Sequence, residues 1–111
     1  MFKLSLNRIH DTVRITEGND TLTLKVNGDP HRMVAGLSNA QKMLTAINDD
    51  SGEEEVKAAA EYFSTVIFGK EQADKLMDFY RNDSGCVISV CGKYFADRLK
   101  TLIIKAQKKE K

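Results

Sequence analysis

The 111-residue sequence has no tryptophan, a single proline and only two cysteines. Cys86 and Cys91 are too few for the disulfide framework of a small secreted domain, and their spacing differs from the CxxC of a redox or zinc site. No apolar run reaches the ~18 residues of a membrane-spanning helix. The N-terminus also lacks the continuous apolar stretch of a secretion signal, so we expect the protein in the cytoplasm.

Excess charge of one sign is missing as well. Seventeen basic and sixteen acidic residues leave a formal net charge of +1, whereas a nucleic-acid-binding domain normally has a clear basic excess. The lysines at the C-terminal end fit the dipole of a final helix without any further role. A hydrophobic content of 41% is typical of a globular protein, and the length suits one core. We therefore predict a single domain over residues 1–111.

Patterns that carry catalysis are scarce. His10 and His31 share no metal-ligand spacing, and the glycines are scattered rather than gathered in a phosphate-binding loop. Cys86 and Cys91 lie in an apolar stretch, which favours small buried hydrophobes over a nucleophile. The acidic residues 53–55 fit the positive end of a helix dipole. The sequence therefore predicts no enzyme: no catalytic residue, no metal ligand and no cofactor-binding residue.

In the N-terminal part of the chain, apolar and polar residues alternate, which is typical of a half-buried β-strand. Residues 12–17 and 21–26 flank Gly18-Asn19, which predicts a β-hairpin with a type II′ turn. One register places the apolar side chains on a common face; it pairs Ile15 with Leu22 and Val13 with Leu24. Residues 2–7 alternate too and can add a third strand through a connection at residues 7–11. The sheet is predicted within residues 1–28.

After Gly28 the period changes to that of an amphipathic helix. Asp29 and Pro30 predict its start, because aspartate caps helices and proline is favoured at the first helical position. The apolar stripe that follows recurs at helical spacing; it consists of Met33, Leu37, Ala40, Leu44 and Ile47. Gly36 leaves alternatives open, since the helix either continues through it, begins after it or is broken there.

Three more helices are predicted in the helical part, residues 29–107. Ser51 and Glu54 have the spacing of a capping box for the second helix, which Gly69 ends. The remaining elements are a short helix at 70–80, a turn at 81–85 with its cap at Asp83 or Ser84, a long helix at 86–107 and a frayed basic tail at 108–111. A small antiparallel sheet followed by about four helices defines an α+β fold.

The helices have more large apolar side chains than their buried stripes account for. Phe68, Phe79, Val90 and Ile104 fall outside those stripes. In a small protein such a surplus indicates a surface for a partner or for self-association. The alternatives are a core that surrounds these helices on two sides and isolated surface hydrophobes. Phe79, Val90 and Ile104 are the candidate protein-binding residues.

The order of elements and one segment resemble a known family. The hairpin at residues 12–26 leads through Val26-Asn27-Gly28-Asp29-Pro30 into a helix. Ile67-Phe68-Gly69-Lys70 ends the second helix and is followed by Ala73-Asp74-Lys75-Leu76, and the chain closes with a long helix that ends in lysines. This arrangement resembles the small tail assembly chaperones of long-tailed bacteriophages and prophages of Gram-positive bacteria.

The resemblance implies a non-enzymatic chaperone in the cytoplasm of the bacterial host. Such a chaperone binds the tape measure protein, keeps it soluble and helps to recruit tail tube protein. Helix-in-groove contact is the expected mode of binding. Two other classes stay open: a structural phage protein of the head–tail joint or the tail, and a small nucleic-acid-binding regulator.

Overall fold

The computed structural model describes residues 8–108, in which a β-hairpin precedes a set of helices. The α+β prediction is therefore confirmed. The elements are β1 (Ile9–Glu17), β2 (Asp20–Gly28), α1 (Pro30–Ala46), α2 (Glu53–Phe68), α3 (Lys70–Phe79) and α4. Helix α4 spans residues 84–108 in three consecutive segments: α-helical Ser84–Tyr94, a π-helical turn Phe95–Leu99 and α-helical Lys100–Lys108. Within the described range no helix is both long and apolar enough to cross a membrane.

The hairpin has the predicted register, with Val13 opposite Leu24 and Ile15 opposite Leu22. Gly18 has a φ of 61°, the positive value that a type II′ turn needs at its first central position. The face that carries these residues packs on the helices, while the other face is polar and exposed. The proposed third strand lies outside the described residues. Residues 9–11 of its predicted connection belong to β1, so that part of the prediction is wrong.

Helix α3 covers part of the outer edge of β2. The backbone N–H of Lys25 donates to Gln72 Oε1 at 2.7 Å, and Gln72 Nε2 donates to the Lys25 carbonyl at 2.5 Å. The side-chain amide thus repeats the donor and acceptor pattern of a neighbouring strand. At Lys25 it occupies an edge that would otherwise be open to another chain.

Helix α1 starts as predicted, since the side chain of Asp29 accepts the backbone N–H of His31 at 3.0 Å. It is continuous through Gly36, which decides between the alternatives there. A Cβ atom on Gly36 would lie only 2.8 Å from Val66 Cγ2 of α2. Glycine is present because α1 and α2 approach each other closely at this point, and not because the helix ends.

The predicted capping box of α2 is wrong. Gly52 is the N-cap residue, and α2 has no side-chain hydrogen bond that caps its N-terminus. Ser51 Oγ instead accepts the backbone N–H of Asn48 at 2.9 Å, which closes the turn between α1 and α2. The acidic first turn is present as expected, and Gly69 ends the helix with a φ of 87°, a conformation that favours glycine.

Helix α2 is central, because it packs against α1, α3, α4 and β2. Its buried surface is wider than the predicted stripe. Phe68, expected outside the core, is only 6% exposed, and its ring stacks on Tyr94 of α4 with centroids 6.0 Å apart. The interpretation of Phe68 as surplus apolar surface is therefore wrong.

Helix α4 begins slightly earlier than predicted and is not regular. Asp83 is its cap and accepts the backbone N–H of Cys86 at 3.2 Å. The turn Phe95–Leu99 is π-helical; a π turn widens the helix and changes the direction of the side chains that follow. The uniform helix predicted for residues 86–107 is wrong in this respect. Residues 109–111 of the predicted tail lie outside the described range.

Candidate protein-binding groove

An open apolar groove of about 550 Å³ lies between α1 and residues 92–104 of α4; we call it the α1–α4 groove. Phe63 of α2 contributes to it from the core side. The residues from α1 are Val34, Leu37, Ser38, Ala40, Gln41 and Leu44, and those from α4 are Gly92, Phe95, Lys100, Ile103 and Ile104.

The two large hydrophobic side chains that are exposed within residues 8–108 both line the α1–α4 groove. Val34 is 41% exposed and Ile104 is 43% exposed, and these are the exposed large hydrophobic residues found within residues 8–108. Leu37, Leu44 and Phe95 beside them are half-buried. Exposed apolar side chains that share one groove favour a binding surface, whereas isolated exposed hydrophobes are ordinary.

The charge on the α1–α4 groove has one sign. Of the described residues that line it, Lys100 is the charged one and none is acidic. Both Lys100 and Lys105, which follows Ile104, are exposed. The wall formed by α4 therefore presents positive charge beside an apolar surface.

Gly92 lies inside a helical segment of α4, where glycine costs roughly 0.5–1 kcal/mol relative to alanine. A Cβ atom at Gly92 would have no neighbour within 4 Å. This differs from Gly36, where the side chain of Val66 occupies that space. No contact within the described protein requires a glycine at position 92, and the position lines the α1–α4 groove.

The hairpin holds α4 through Asp11, at the π-helical turn beside the groove. Arg98 Nε and Nη2 each donate to one oxygen of the Asp11 carboxylate at 2.7 Å, and the Tyr94 hydroxyl donates at 2.8 Å. The Asp11 side chain is 8% exposed and that of Arg98 is 59% exposed. Two-point pairing of this kind fixes orientation as well as distance. The Asp11 cluster (Asp11, Tyr94 and Arg98) thus joins β1 to α4.

The same contacts set the pKa values of the Asp11 cluster. Burial alone would raise the pKa of Asp11, but the hydrogen bonds from Arg98 and Tyr94 outweigh it and lower that pKa. Burial, together with the bond to Asp11, raises the pKa of Tyr94 far above its ordinary value. The bond to Asp11 also raises the pKa of Arg98. All three groups are therefore held in the protonation states that pair with one another.

The structure places the three predicted binding residues in different surroundings. Ile104 lines the α1–α4 groove. Phe79 is half-buried, with its ring edge-on to Tyr80 at a centroid distance of 5.2 Å. Val90 is half-buried against the core, and neither Phe79 nor Val90 is among the residues that line the groove. Sequence reasoning missed Val34, whose position just outside the α1 stripe was the available signal.

The residues considered for catalysis are dispersed. His10 and His31 are exposed on β1 and α1. Cys91 is fully buried, and burial raises the pKa of its thiol to about 12. The hydrogen bond to Asp83 raises the pKa of half-buried Cys86. No group of three or more metal-ligating side chains is found between residues 8 and 108.

Comparisons with protein-family models, with curated proteins and with solved structures found no match to this chain. The α1–α4 groove is therefore interpreted from its own shape, exposure and charge.

Proposed function

We propose that this protein is a non-enzymatic tail assembly chaperone of a long-tailed bacteriophage or prophage. It binds helical segments of the tape measure protein in the host cytoplasm, keeps that protein soluble and helps to bring tail tube subunits to it. The client and the setting come from the family resemblance. The mode of binding comes from the α1–α4 groove.

The observation that carries the proposal is the exposure of Val34 and Ile104 on two neighbouring helices that share one groove. A protein that keeps an apolar helical client in solution needs apolar surface of its own, carried by a scaffold that is otherwise charged and nearly neutral overall. The formal net charge of +1 and the half-buried residues along the groove fit this requirement. Helix-in-groove binding uses such a surface directly.

The first experiment is co-expression of the chain with the tape measure protein encoded in the same phage genome. The soluble fraction of the tape measure protein is expected to rise several-fold when the chain is present. Ile104→Asp should abolish most of the gain, because it places a charge in the α1–α4 groove. Thr101→Asp is the matched control, since Thr101 is exposed on the same segment of α4 and does not line the groove.

Both variants should have wild-type circular dichroism spectra, because neither side chain is buried. An unchanged soluble fraction of tape measure protein in the presence of the chain would refute the proposal. Mass spectrometry of purified phage particles separates a chaperone from a structural component, since a chaperone is expected to be missing from them. Steeply salt-dependent retention on DNA would instead indicate a nucleic-acid-binding regulator.

A further inference from the structure

We infer that the occupant of the α1–α4 groove is an amphipathic α-helix with acidic flanks, packed closely against α4 at Gly92 and with an acidic side chain facing Lys100. This inference rests on the proposed function, because it specifies the client segment that the groove receives. It is carried by the row of residues on α1, the glycine on α4 and the charge of the groove.

The shape of the α1–α4 groove fits a helix. Val34, Leu37, Gln41 and Leu44 line it at successive helical turns of α1, a row that extends for about 15 Å at ~1.5 Å per residue. From Gly92 to Ile104 the opposite wall extends for at most about 18 Å by the same measure, because the π-helical turn Phe95–Leu99 within it rises less per residue. Two helices that border an open apolar groove of this length leave room for a third helix of about three turns.

Gly92 is explained by the approach of another chain. Helix pairs pack with axes about 8–10 Å apart, depending on the side chains at the contact. A glycine without an intrachain neighbour allows the partner backbone to come near the lower end of that range. Among residues 8–108, a Cβ atom at Gly92 would meet no atom within 4 Å beyond the backbone of its own helical turns. A side chain at this position would therefore mainly affect a partner that packs against α4.

Lys100 determines the charge of the occupant. Within the part of the chain that the structure describes, it is the charged residue that lines the α1–α4 groove. An apolar helix bound beside it removes water from its surroundings. An acidic residue on the flank of that helix compensates for the loss, whereas a basic residue is repelled. Exposed Lys105 adds positive charge nearby without lining the groove.

The test uses two labelled synthetic peptides of about 18 residues, long enough to form a helix on binding. Both carry the same leucine stripe at helical spacing; one has glutamate on its flanks and the other has lysine. Fluorescence anisotropy measures their affinity for the full chain and its variants. The wild type is expected to prefer the glutamate peptide by about two- to fivefold.

Two matched pairs of variants locate the binding. Gly92→Phe should weaken binding of both peptides by about tenfold or more, because the added ring fills the groove. Ser89→Phe, on an exposed position of the same helical segment that does not line the groove, should change it less than about twofold. Lys100→Glu should reverse the preference between the peptides, and Lys105→Glu should leave its direction unchanged.

Gly92→Ala is the conservative variant, which strengthens the helix and should still weaken binding measurably. Equal effects of Gly92→Phe and Ser89→Phe on binding, or no binding of either peptide, would overturn the inference. An equal change in peptide preference from Lys100→Glu and Lys105→Glu would overturn it too.

The same variants in the co-expression assay separate the two proposals. If the peptides follow the expected pattern but the tape measure protein stays insoluble, the inference holds and the proposed function fails. If the tape measure protein is solubilised equally by wild type and all variants, the proposed function holds and the inference fails.

Discussion

Replacing glycine by alanine should have opposite effects on stability at two helical positions of this protein, Gly36 and Gly92. In both cases the new methyl group raises the intrinsic helix propensity by about 0.5–1 kcal/mol. At Gly92 the Cβ atom meets nothing within 4 Å, so Gly92→Ala should keep the whole gain. The expected rise in the midpoint of thermal unfolding is about 2–5 °C for a chain of this size.

At Gly36 the same atom would lie 2.8 and 2.9 Å from the two methyl groups of Val66. Valine is branched at Cβ and cannot turn both methyl groups away, so α1 and α2 must separate slightly. Overpacking of this kind costs about 1–3 kcal/mol. After the gain in helix propensity, Gly36→Ala should reduce the free energy of unfolding by up to about 2.5 kcal/mol.

Urea and thermal unfolding of both variants, followed by circular dichroism at the helical band, measure these changes. The decisive control is Gly36→Ala in a Val66→Ala background, where the two methyl groups are gone. There the substitution should become stabilising, as at Gly92, since only the helix propensity remains. If Gly36→Ala stabilises the wild type as much as Gly92→Ala does, or has the same effect in both backgrounds, the close approach of α1 and α2 is not the reason for the glycine.

Three further results are expected. Asp11→Asn should lower the free energy of unfolding by about 1–2 kcal/mol near neutral pH. The folded-state pKa of Asp11 is lowered. The difference in stability from wild type should therefore persist above about pH 5 and vanish as the pH falls through that pKa. Gln72→Ala should lower the free energy of unfolding by about 0.5–1.5 kcal/mol, because the backbone N–H and carbonyl of Lys25 lose their partner. Light scattering should also detect more self-association of this variant through the opened edge of β2. A thiol reagent should modify Cys86 in the native protein but Cys91 only after unfolding, since Cys91 is fully buried.

Each of these three predictions can be contradicted by a specific result. A difference between wild type and Asp11→Asn that does not change between pH 7 and about pH 3 would mean that the Asp11 carboxylate is not held ionised by its partners. Wild-type stability and solubility of Gln72→Ala would show that water replaces the amide at no cost. Rapid modification of both thiols in the native state would contradict the packing of α4.

Local chemistry determined the elements whose signals lie within a few residues. The hairpin register was predictable because alternation, combined with a glycine at the turn, allows one pairing that keeps the apolar side chains on a common face. The start of α1 at Asp29-Pro30 and the end of α2 at Gly69 depend on capping and on backbone conformation, which are properties of the residues themselves. Sequence reasoning also placed Ile104 outside the buried stripe of α4, where the structure has it.

Tertiary contacts decided the rest, because the deciding atoms are far away in the sequence. The reason for a glycine at position 36 is the nearby side chain of Val66, and the buried ring of Phe68 packs on Tyr94. The π-helical turn contains Arg98, which is paired with Asp11 of β1. The α1–α4 groove exists only once two helices distant in sequence are packed together, so a helical period could identify Ile104 as exposed but could not place it opposite Val34.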